Sequence, residues 1–376
     1  MLEEGGSSSD ESVGDMLLDV ACEPFVRRRL QDIGPERLSV ERLERESRER
    51  GFDDENIATS TWTKFMFRLE HLPAVVAALD PPAGFRTASG VFTGEEGVLL
   101  LLRRFRTADS LDSLVYETGR STTHISQAVA FMTEHIEARF PWLLDERSLS
   151  SFAPHFEQFA AKFRAKGMPM DDLIAFIDGK LWAVCKPGRF QRVLYSGHKR
   201  VHGCKTQGVV FPNGIQPYPY GPCHGSTHDS TILRDSKLLR VMHDVCRGGQ
   251  YEWPGAPGGL GKDFRLFGDS AYPVSFFLWH MFKGVMSRAQ QLFNADMRWR
   301  IAAEWGFGKI CNLWPYLDYR KKQKVLLSPV GLHLKVGNVL TNMHTCLYGS
   351  IVSHTFKMDP PALSEYMCGG PYYCNR

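Results

Sequence analysis

The 376-residue sequence lacks the long apolar runs that a membrane span requires. A helix needs about 20 consecutive apolar residues to cross a bilayer, whereas the densest apolar stretches here are the short VLLLLRRF and SFFLWHMF. The nine cysteines are scattered, with no C-x-x-C pair, and the start MLEEGGSSSDE is unlike a secretory signal. We therefore expect no membrane association, and reduced cysteines in an intracellular compartment.

Several catalytic signatures are also missing. GAPGGLGK lacks the spacing of a phosphate-binding loop, and D-G-K and D-S-A are not the D-[ST]-G pair of an aspartic protease. A glycosidase also uses paired carboxylates, but the chain has three acids that adjoin apolar stretches, with basic residues around them, and this argues against a glycosidase. Six His and Cys residues lack the paired spacing of a structural zinc site: His198, His202, Cys204, Cys223, His224 and His228.

The charges are distributed unevenly along the chain. Residues 1–60 carry 8 Lys or Arg and 16 Asp or Glu, whereas the rest carries 37 and 26. A basic body of this kind fits a polyanionic partner such as nucleic acid, although ordinary domains reach the same balance without one. With 43% hydrophobic and 12% aromatic residues, the chain can bury a substantial core.

Changes in composition predict four segments. Residues 1–15 are too poor in apolar groups to order, and the mixed charges from Pro24 to about Arg50 indicate a solvated helix. Residues from about 352 onward resemble a loosely attached tail. The predicted segments are an acidic, partly disordered one (1–60), a helical domain (61–145), a domain of alternating strands and helices (146–350) and a C-terminal tail (351–376).

The helical domain carries the pattern of a helix-turn-helix. Thr93 and Glu96 predict a capping box before VLLLLRRF, and Ser110–Thr118 predicts a short helix that ends at Gly119. Ser121 then caps a third helix. Its predicted core face carries Ile125, Val129, Met132 and Ile136. In a DNA-binding arrangement its exposed leading end would carry the contacts to bases and phosphates, namely Arg120, Thr122, Thr123, His124 and Gln127. Such helix pairs also occur as mere packing units.

After Pro141 the pattern alternates between strands and helices. LIAFID and LWAVCK are β-prone runs on either side of a D-G step, and KTQGVVFPNG and IQPYPYG flank an N-G step. THDSTILRDSKLLRVMHDV and the segment from Ser287 to Leu313 have helical spacing. We therefore expect an α/β fold.

Three acids stand out because each adjoins an apolar stretch, where an ionised carboxylate is costly without a cation. Asp178 follows Phe176 and Ile177, Asp269 follows a Leu-Phe pair after one glycine, and Glu304 lies among alanines and aromatics. Each alone has a structural explanation, as a turn, a helix cap or a solvated helix residue. Together they favour two bound Mg²⁺ or Mn²⁺ ions about 3.5–4 Å apart, which would drive in-line attack on a phosphodiester. Asp178 would bridge both ions, with Asp269 on one and Glu304 on the other.

Basic runs flank these acids and predict backbone contacts that position DNA without reading its sequence. Residues 181–210 contain basic side chains and no acidic one, and RKKQK at 320–324 follows the glutamate. The candidate phosphate contacts are Lys186, Arg192, Lys199, Arg200, Lys205, Lys321 and Lys322. Such runs are also common on solvated surfaces.

At these residues the chain resembles the DDE endonuclease domain of PIF/Harbinger transposases and the harbinger transposase-derived nucleases. The similar segments cover roughly residues 170–350 and include FIDGKLWAV, the stretch from Gln191 to Ile215, YGPCHGSTHDSTILRDS, FGDSAY, FNADMRWRIAAEWGFGKI and NVLTNMHTCLYGS. Cys204 and Cys223 depart from the family pattern, where apolar residues are usual. The departures affect packing more than chemistry.

The resemblance implies an RNase H-like core with a mixed central sheet and flanking helices, preceded in the chain by a helix-turn-helix domain. It implies a Mg²⁺-dependent nuclease that cuts terminal inverted repeats and joins the 3′ ends to AT-rich target DNA, with Asp178, Asp269 and Glu304 as catalytic acids. His228 and Asp229 match the family's H-D step, and Arg300 matches the arginine that accompanies the glutamate. Nuclear location, a Myb/SANT-like accessory protein and a homodimer are also implied. The alternative is a domesticated DNA-binding or adaptor protein without catalysis.

Overall fold

A computed structural model of the protein describes residues 37–49, 54–108, 110–217 and 219–369. The tail predicted over residues 1–15 and the start of the helix predicted from Pro24 lie outside the described residues. None of the helices described combines the length and hydropathy of a membrane span.

The helices and strands are as follows. Those of the N-terminal part are α1 (Val40–Glu49), α2 (Asp54–Phe65), α3 (Leu72–Ala78), β1 (Gly84–Arg86), β2 (Val91–Thr93), α4 (Gly94–Arg106), α5 (Asp112–Thr118), α6 (Thr122–Arg139), α7 (Pro141–Leu144), α8 (Arg147–Ser150) and α9 (Phe156–Ala165). Those that follow are β3 (Leu173–Ala183), α10 (Gln191–Leu194), β4 (Tyr195–Ser196), β5 (Val201–Val210), β6 (Tyr220–His224), α11 (Asp229–Asp235), α12 (Leu238–Arg247), β7 (Arg265–Gly268), β8 (Leu278–His280), α13 (Arg288–Asp296), α14 (Ala302–Leu313), α15 (Pro315–Asp318), α16 (Val330–Tyr348), α17 (Ile351–Phe356) and α18 (Leu363–Met367). Short 3-10 turns occupy Leu69–His71, Ala153–His155, Met297–Ile301 and Arg320–Lys322.

A mixed six-stranded sheet forms the centre of the fold. Its strands lie in the order β4, β5, β3, β7 and β8, and β6 also pairs with β5. The pairs on the β5 side are antiparallel, whereas β3 with β7 and β7 with β8 are parallel. Helices α9 and α14 contact β3. The predicted α/β fold with a mixed sheet and flanking helices is confirmed.

The Asp178-Gly179 step is part of a strand. The sequence predicts a break between two short strands at this step. In the structure a single strand of 11 residues, β3, runs through it. The reason is long-range pairing, because β5 matches β3 without interruption from Phe176↔Val210 to Ala183↔Gly203. The N-G step does form a turn, since Gly214 has a positive φ of 82° and its amide donates to Phe211 O at 2.9 Å.

The local signals in the helical domain form the expected helices. Gly119 ends α5 with φ 68°, and the Ser121 hydroxyl caps α6 by accepting from the His124 amide. Ile125, Val129, Met132 and Ile136 are buried as predicted. The Thr93 hydroxyl caps α4 by accepting from the Glu96 amide, but the second half of the predicted capping box differs, because the Glu96 carboxylate binds Arg120 instead.

The helical part and the sheet part share one core. A single buried cluster runs from Leu38 to Met367, and α6 contacts α16 while α4 contacts α15. The boundary predicted near residue 145 is therefore crossed by extensive packing. The C-terminal tail is predicted to be loosely attached, but its described residues pack against the rest of the protein. Four of them are buried, namely Val352, Phe356, Tyr366 and Met367.

Candidate active site

Two parallel strands place Asp178 and Asp269 next to each other. In the register of β3 and β7, Ile177 lies beside Gly268, and the two aspartates are the residues that follow. Asp178 is still within β3, whereas Asp269 is the first residue after β7 and begins a turn in which Tyr272 N donates to Asp269 O. Parallel pairing therefore brings together two acids that are 91 positions apart in the sequence.

Helix α14 brings Glu304 to the same strand. Its buried side, which includes Ala303, Gly306 and Phe307, packs against β3 and β5. Gly208, the β5 residue opposite Asp178, allows this approach, because a Cβ there would lie 2.9 Å from Phe307 Cζ. Glu304 itself is on the exposed side of α14, with 53% of its side chain accessible.

Asp178 and Glu304 line one open cleft of about 540 Å³. The other side chains that line it are Lys180, Leu181, Lys199, Val201 and Phe307, with the backbone of Gly179 and Gly308. Asp269 lies at the neighbouring strand end and not among these lining residues. The cleft thus combines two carboxylates with two lysines.

Burial raises the pKa of Asp178 to about 6. The Gly179 amide, which donates to Asp178 Oδ1 at 2.8 Å, and the Arg300 charge oppose this shift, whereas the Glu304 and Asp269 charges add to it. The expectation that all three acids adjoin the core holds for Asp178 only, since Asp269 and Glu304 are exposed. Their apolar neighbours in the sequence point to other sides of the strand end and the helix.

One oxygen of each of the other two acids already has a partner. Ser270 donates to Asp269 Oδ1 through its amide at 2.6 Å and its hydroxyl at 3.1 Å. Arg300 Nη2 donates to Glu304 Oε1 at 3.0 Å. Within residues 37–49, 54–108, 110–217 and 219–369, no three His, Cys, Asp or Glu side chains are grouped closely enough to hold a metal.

The donor chemistry nevertheless fits a divalent cation. Three carboxylates offer the hard oxygen ligands that Mg²⁺ and Mn²⁺ prefer. Burial and the neighbouring Glu304 and Asp269 charges disfavour the ionised form of Asp178, and a bound cation would stabilise that form. Binding a cation here would compete with Arg300 for Glu304 and with Ser270 for Asp269.

Asp229 lies on the opposite face of β3 from Asp178. A Cβ at Gly179 would lie 3.3 Å from Asp229 Oδ1 and 3.4 Å from the Tyr272 hydroxyl, and successive residues of a strand face opposite sides. Asp229 pairs with Lys205 at 3.1 Å and begins α11, whereas His228 is its exposed N-cap residue. Of the residues predicted to support the acids, Arg300 therefore contacts Glu304, whereas Asp229 lies on the other face of β3.

The two basic runs meet at the end of β3. Cys185 N donates to Gln323 O and its thiol to Lys321 O, so that the segment with Lys186 adjoins the one with Lys321 and Lys322. Lys186, Arg192, Lys199, Arg200 and Lys321 are exposed, and Lys322 is half-buried. Lys205 differs because Asp229 and Thr227 O already bind its ammonium.

Most of the polar residues at the start of α6 are bound internally. Arg120 binds the fully buried Glu96 through two nitrogens, at 2.7 and 2.9 Å. His124 Nε2 lies 2.6 Å from Ser89 O, and Gln127 Oε1 accepts from Ser89 N at 2.9 Å. Of the five predicted DNA contacts, Thr122 and Thr123 remain exposed.

Sequence reasoning missed Lys180 and Tyr272. Lys180 follows Asp178 by two residues in β3 and so faces the same side, which the period of a strand could have indicated. Tyr272 is recognisable only from the fold, because it approaches β3 at Gly179 through the turn after β7.

The combination of a mixed α/β fold with carboxylates on a central strand and a packed helix is compatible with a nuclease. Residues 177–342, less than half of the chain, match the family described as DDE superfamily endonuclease. This stretch contains Asp178, Asp269 and Glu304. No curated protein and no solved structure matches the chain.

Proposed function

We propose that the protein is a metal-dependent DNA endonuclease in which Asp178, Asp269 and Glu304 hold Mg²⁺ or Mn²⁺. The observation that carries the proposal is the meeting of Asp178 and Glu304 in one cleft, with Asp269 at the end of the adjacent parallel strand. This arrangement lies inside the stretch that matches the DDE superfamily endonucleases.

The chain's own residues set the conditions for this chemistry. Asp178 supplies a carboxylate that is ionised above about pH 6, and Arg300 orients Glu304 from one helical turn away. Lys199 lines the same cleft and would attract a phosphate. When bound, two divalent ions would activate water or a 3′-hydroxyl and stabilise the leaving oxygen.

The finer assignment is a PIF/Harbinger-like transposase that cuts terminal inverted repeats and joins them to AT-rich DNA. An RNase H-like core is supported by the mixed sheet, with Asp178 on a strand, Asp269 directly after the neighbouring strand and Glu304 on a helix. A DNA-binding role for α5 and α6 would rest on Thr122 and Thr123. A homodimer, a Myb/SANT-like accessory protein and nuclear location belong to the same proposal.

Cleavage of duplex DNA tests the proposal. The full chain is incubated with labelled duplex and with supercoiled plasmid, in Mg²⁺, in Mn²⁺ and in EDTA. We expect cutting that requires a divalent metal, and that falls at least about 100-fold in Asp178→Asn, more than loss of an outer-sphere partner usually costs. Asp235→Asn, an exposed acid on α11, is the matched control. Metal-independent cutting, or equal cutting by Asp178→Asn, would refute the assignment.

A second candidate is a DNA-binding or adaptor protein without catalysis. It is favoured by the Arg300–Glu304 ion pair, which neutralises one of the three acids internally. This candidate predicts duplex binding that is the same in wild type, Asp178→Asn and Glu304→Gln, with no metal-dependent product in the same assay.

A further inference from the structure

Lys180 is a half-buried cation on the same side of β3 as Asp178. The two residues are separated by one position in a regularly paired strand, so their side chains face the same side and their Cα atoms lie about 7 Å apart. Both line the cleft that also contains Glu304 and Lys199.

An aromatic ring holds the Lys180 ammonium in place. Its Nζ lies 4.7 Å from the centroid of the Trp182 ring, a cation–π contact. Trp182 is 2% exposed, its Nε1 donates to Thr206 Oγ1 at 2.8 Å, and its ring packs edge-on against Phe307. Lys180 also lies beside the Cys311 thiol of α14, as does Asp318. The Lys180 side chain is therefore held between Trp182 and α14, at the wall of the cleft.

Neither cleft lysine has an acidic partner. The ion pairs of lysines in the described part of the chain involve Lys64, Lys205 and Lys262, and not Lys180 or Lys199. Asp178 and Glu304 line the same cleft, but neither forms an ion pair with Lys180 or Lys199. The two ammonium groups would therefore be available to bind a phosphate. The separation between the Cα atoms of Lys180 and Asp178 is also of the order of the distance spanned by one to two nucleotides along a DNA strand.

We propose that Lys180, together with Lys199, binds a backbone phosphate of the DNA. This phosphate is a neighbour, on the same strand, of the phosphate that is cut at the carboxylates. This rests on the proposed function, and it assigns Lys180 a role in positioning the strand. The contact is to phosphate and is therefore independent of base sequence.

The first test compares duplex binding across a salt series, measured by fluorescence anisotropy without divalent metal. Wild type is compared with Lys180→Met, which keeps an unbranched stem over Trp182, and with Lys180→Arg. Lys166→Met is the matched control, because Lys166 is also half-buried over a tryptophan ring, 4.3 Å from Trp299, but does not line the cleft. We expect Lys180→Met to weaken binding and to reduce the salt slope by about 0.9. Lys180→Arg and Lys166→Met should match wild type.

The second test needs no variant and so does not depend on Lys180→Met folding. Lysines of the wild-type protein are acetylated with and without duplex, and the extent of modification is measured by mass spectrometry. DNA should protect Lys180 and Lys199 but not Lys166. A separate arm contains inorganic phosphate alone, which should protect them much less than duplex does.

The outcomes separate this proposal from the proposed function. If the wild type neither binds nor cuts duplex, the proposed function fails. If it does both but Lys180→Met behaves like Lys166→Met, or Lys180→Arg fails to restore binding, the role of Lys180 is packing and this inference is wrong. Equal acetylation of Lys180 with and without DNA would also overturn it, as would protection by phosphate but not by DNA.

Discussion

Arg300 Nη2 lies 3.0 Å from Glu304 Oε1, and the two residues of this ion pair are four positions apart in the chain. The sequence predicts that the two share a helix face. The 3-10 turn of Met297–Ile301 leads directly into α14, so this adjacency is kept although the helix type changes between them. The charge of the same arginine partly offsets the rise in the pKa of Asp178 that burial causes. Arg300 is thus the internal cation of the proposed metal site.

Replacing Arg300 should strengthen divalent metal binding. In Arg300→Met the Glu304 carboxylate is released from a pair worth about 0.2–1 kcal/mol, so at pH 8 the affinity for Mn²⁺ should rise by about 1.4- to fivefold. Calorimetric titration with Mn²⁺ measures this. Arg48→Met, which breaks the exposed pair with Glu44 in α1, is the control and should bind Mn²⁺ as wild type does. Weaker binding by Arg300→Met would mean that the arginine supports the site instead of competing for it.

The Tyr272 hydroxyl is buried without a hydrogen-bond partner in the structure described. The side chain is 2% exposed, and the Asp229, Asp178 and Asp269 charges add to burial in raising its pKa. An unsatisfied buried hydroxyl carries a desolvation penalty, so this residue is costly as it stands.

Tyr272→Phe should therefore stabilise the metal-free protein, by about 1 kcal/mol. Urea unfolding in EDTA measures the change. The matched control is Tyr366→Phe, because that buried hydroxyl accepts from Asn342 Nδ2 at 3.0 Å and its removal should cost about 1 kcal/mol. A loss of stability in Tyr272→Phe would show that its hydroxyl is bonded, for example to water or to Asp229.

Local signals predicted the local structure well. Thr93 and Ser121 were recognisable as caps because a cap depends on residues within one turn, and Gly119 as a helix end because few other residues adopt positive φ. The burial of Ile125 and Met132 followed from the helical period.

The predictions that were wrong concern residues whose partners lie far away in the sequence. Asp178-Gly179 continues a strand because β5 pairs with it, and no residue nearby indicates this. Glu96 binds Arg120 across 24 positions instead of completing its own capping box. The exposure of Glu304 and Asp269 likewise depends on which side of each element packs, since both have apolar neighbours in the sequence.

Arg120 should prove important for stability more than for DNA binding. Its loss leaves the fully buried Glu96 without its cation, so Arg120→Met should cost about 3 kcal/mol in the free energy of unfolding. Arg139→Met, at the last residue of α6, is the control, because its pair with Asp80 is exposed and should be worth at most about 1 kcal/mol. Unfolding by urea compares them. If Arg120→Met keeps wild-type stability yet loses duplex affinity, the residue is a DNA contact after all.

His344 makes the shared core sensitive to acid. Its ring lies in α16 among Trp62, Phe67 and Tyr348, with centroid separations of 5.2, 5.7 and 4.7 Å. Both ring nitrogens lack a hydrogen-bond partner within the described residues. Burial, aided by the nearby Lys309 charge, lowers the pKa of His344 to about 3.

Because the unfolded chain binds this proton near pH 6.5 and the folded chain does so only near pH 3, the stability is complete above about pH 6.5 and is lost as the pH falls. One such group contributes a slope of about 1.4 kcal/mol per pH unit. We expect His344→Leu to reduce the slope of unfolding free energy between about pH 6 and 4.5, measured by urea titration. Part of the slope should remain, because burial lowers the pKa of His333 to about 4. The exposed His198→Gln should retain the full slope. An unchanged slope in His344→Leu would place the acid sensitivity elsewhere in the core.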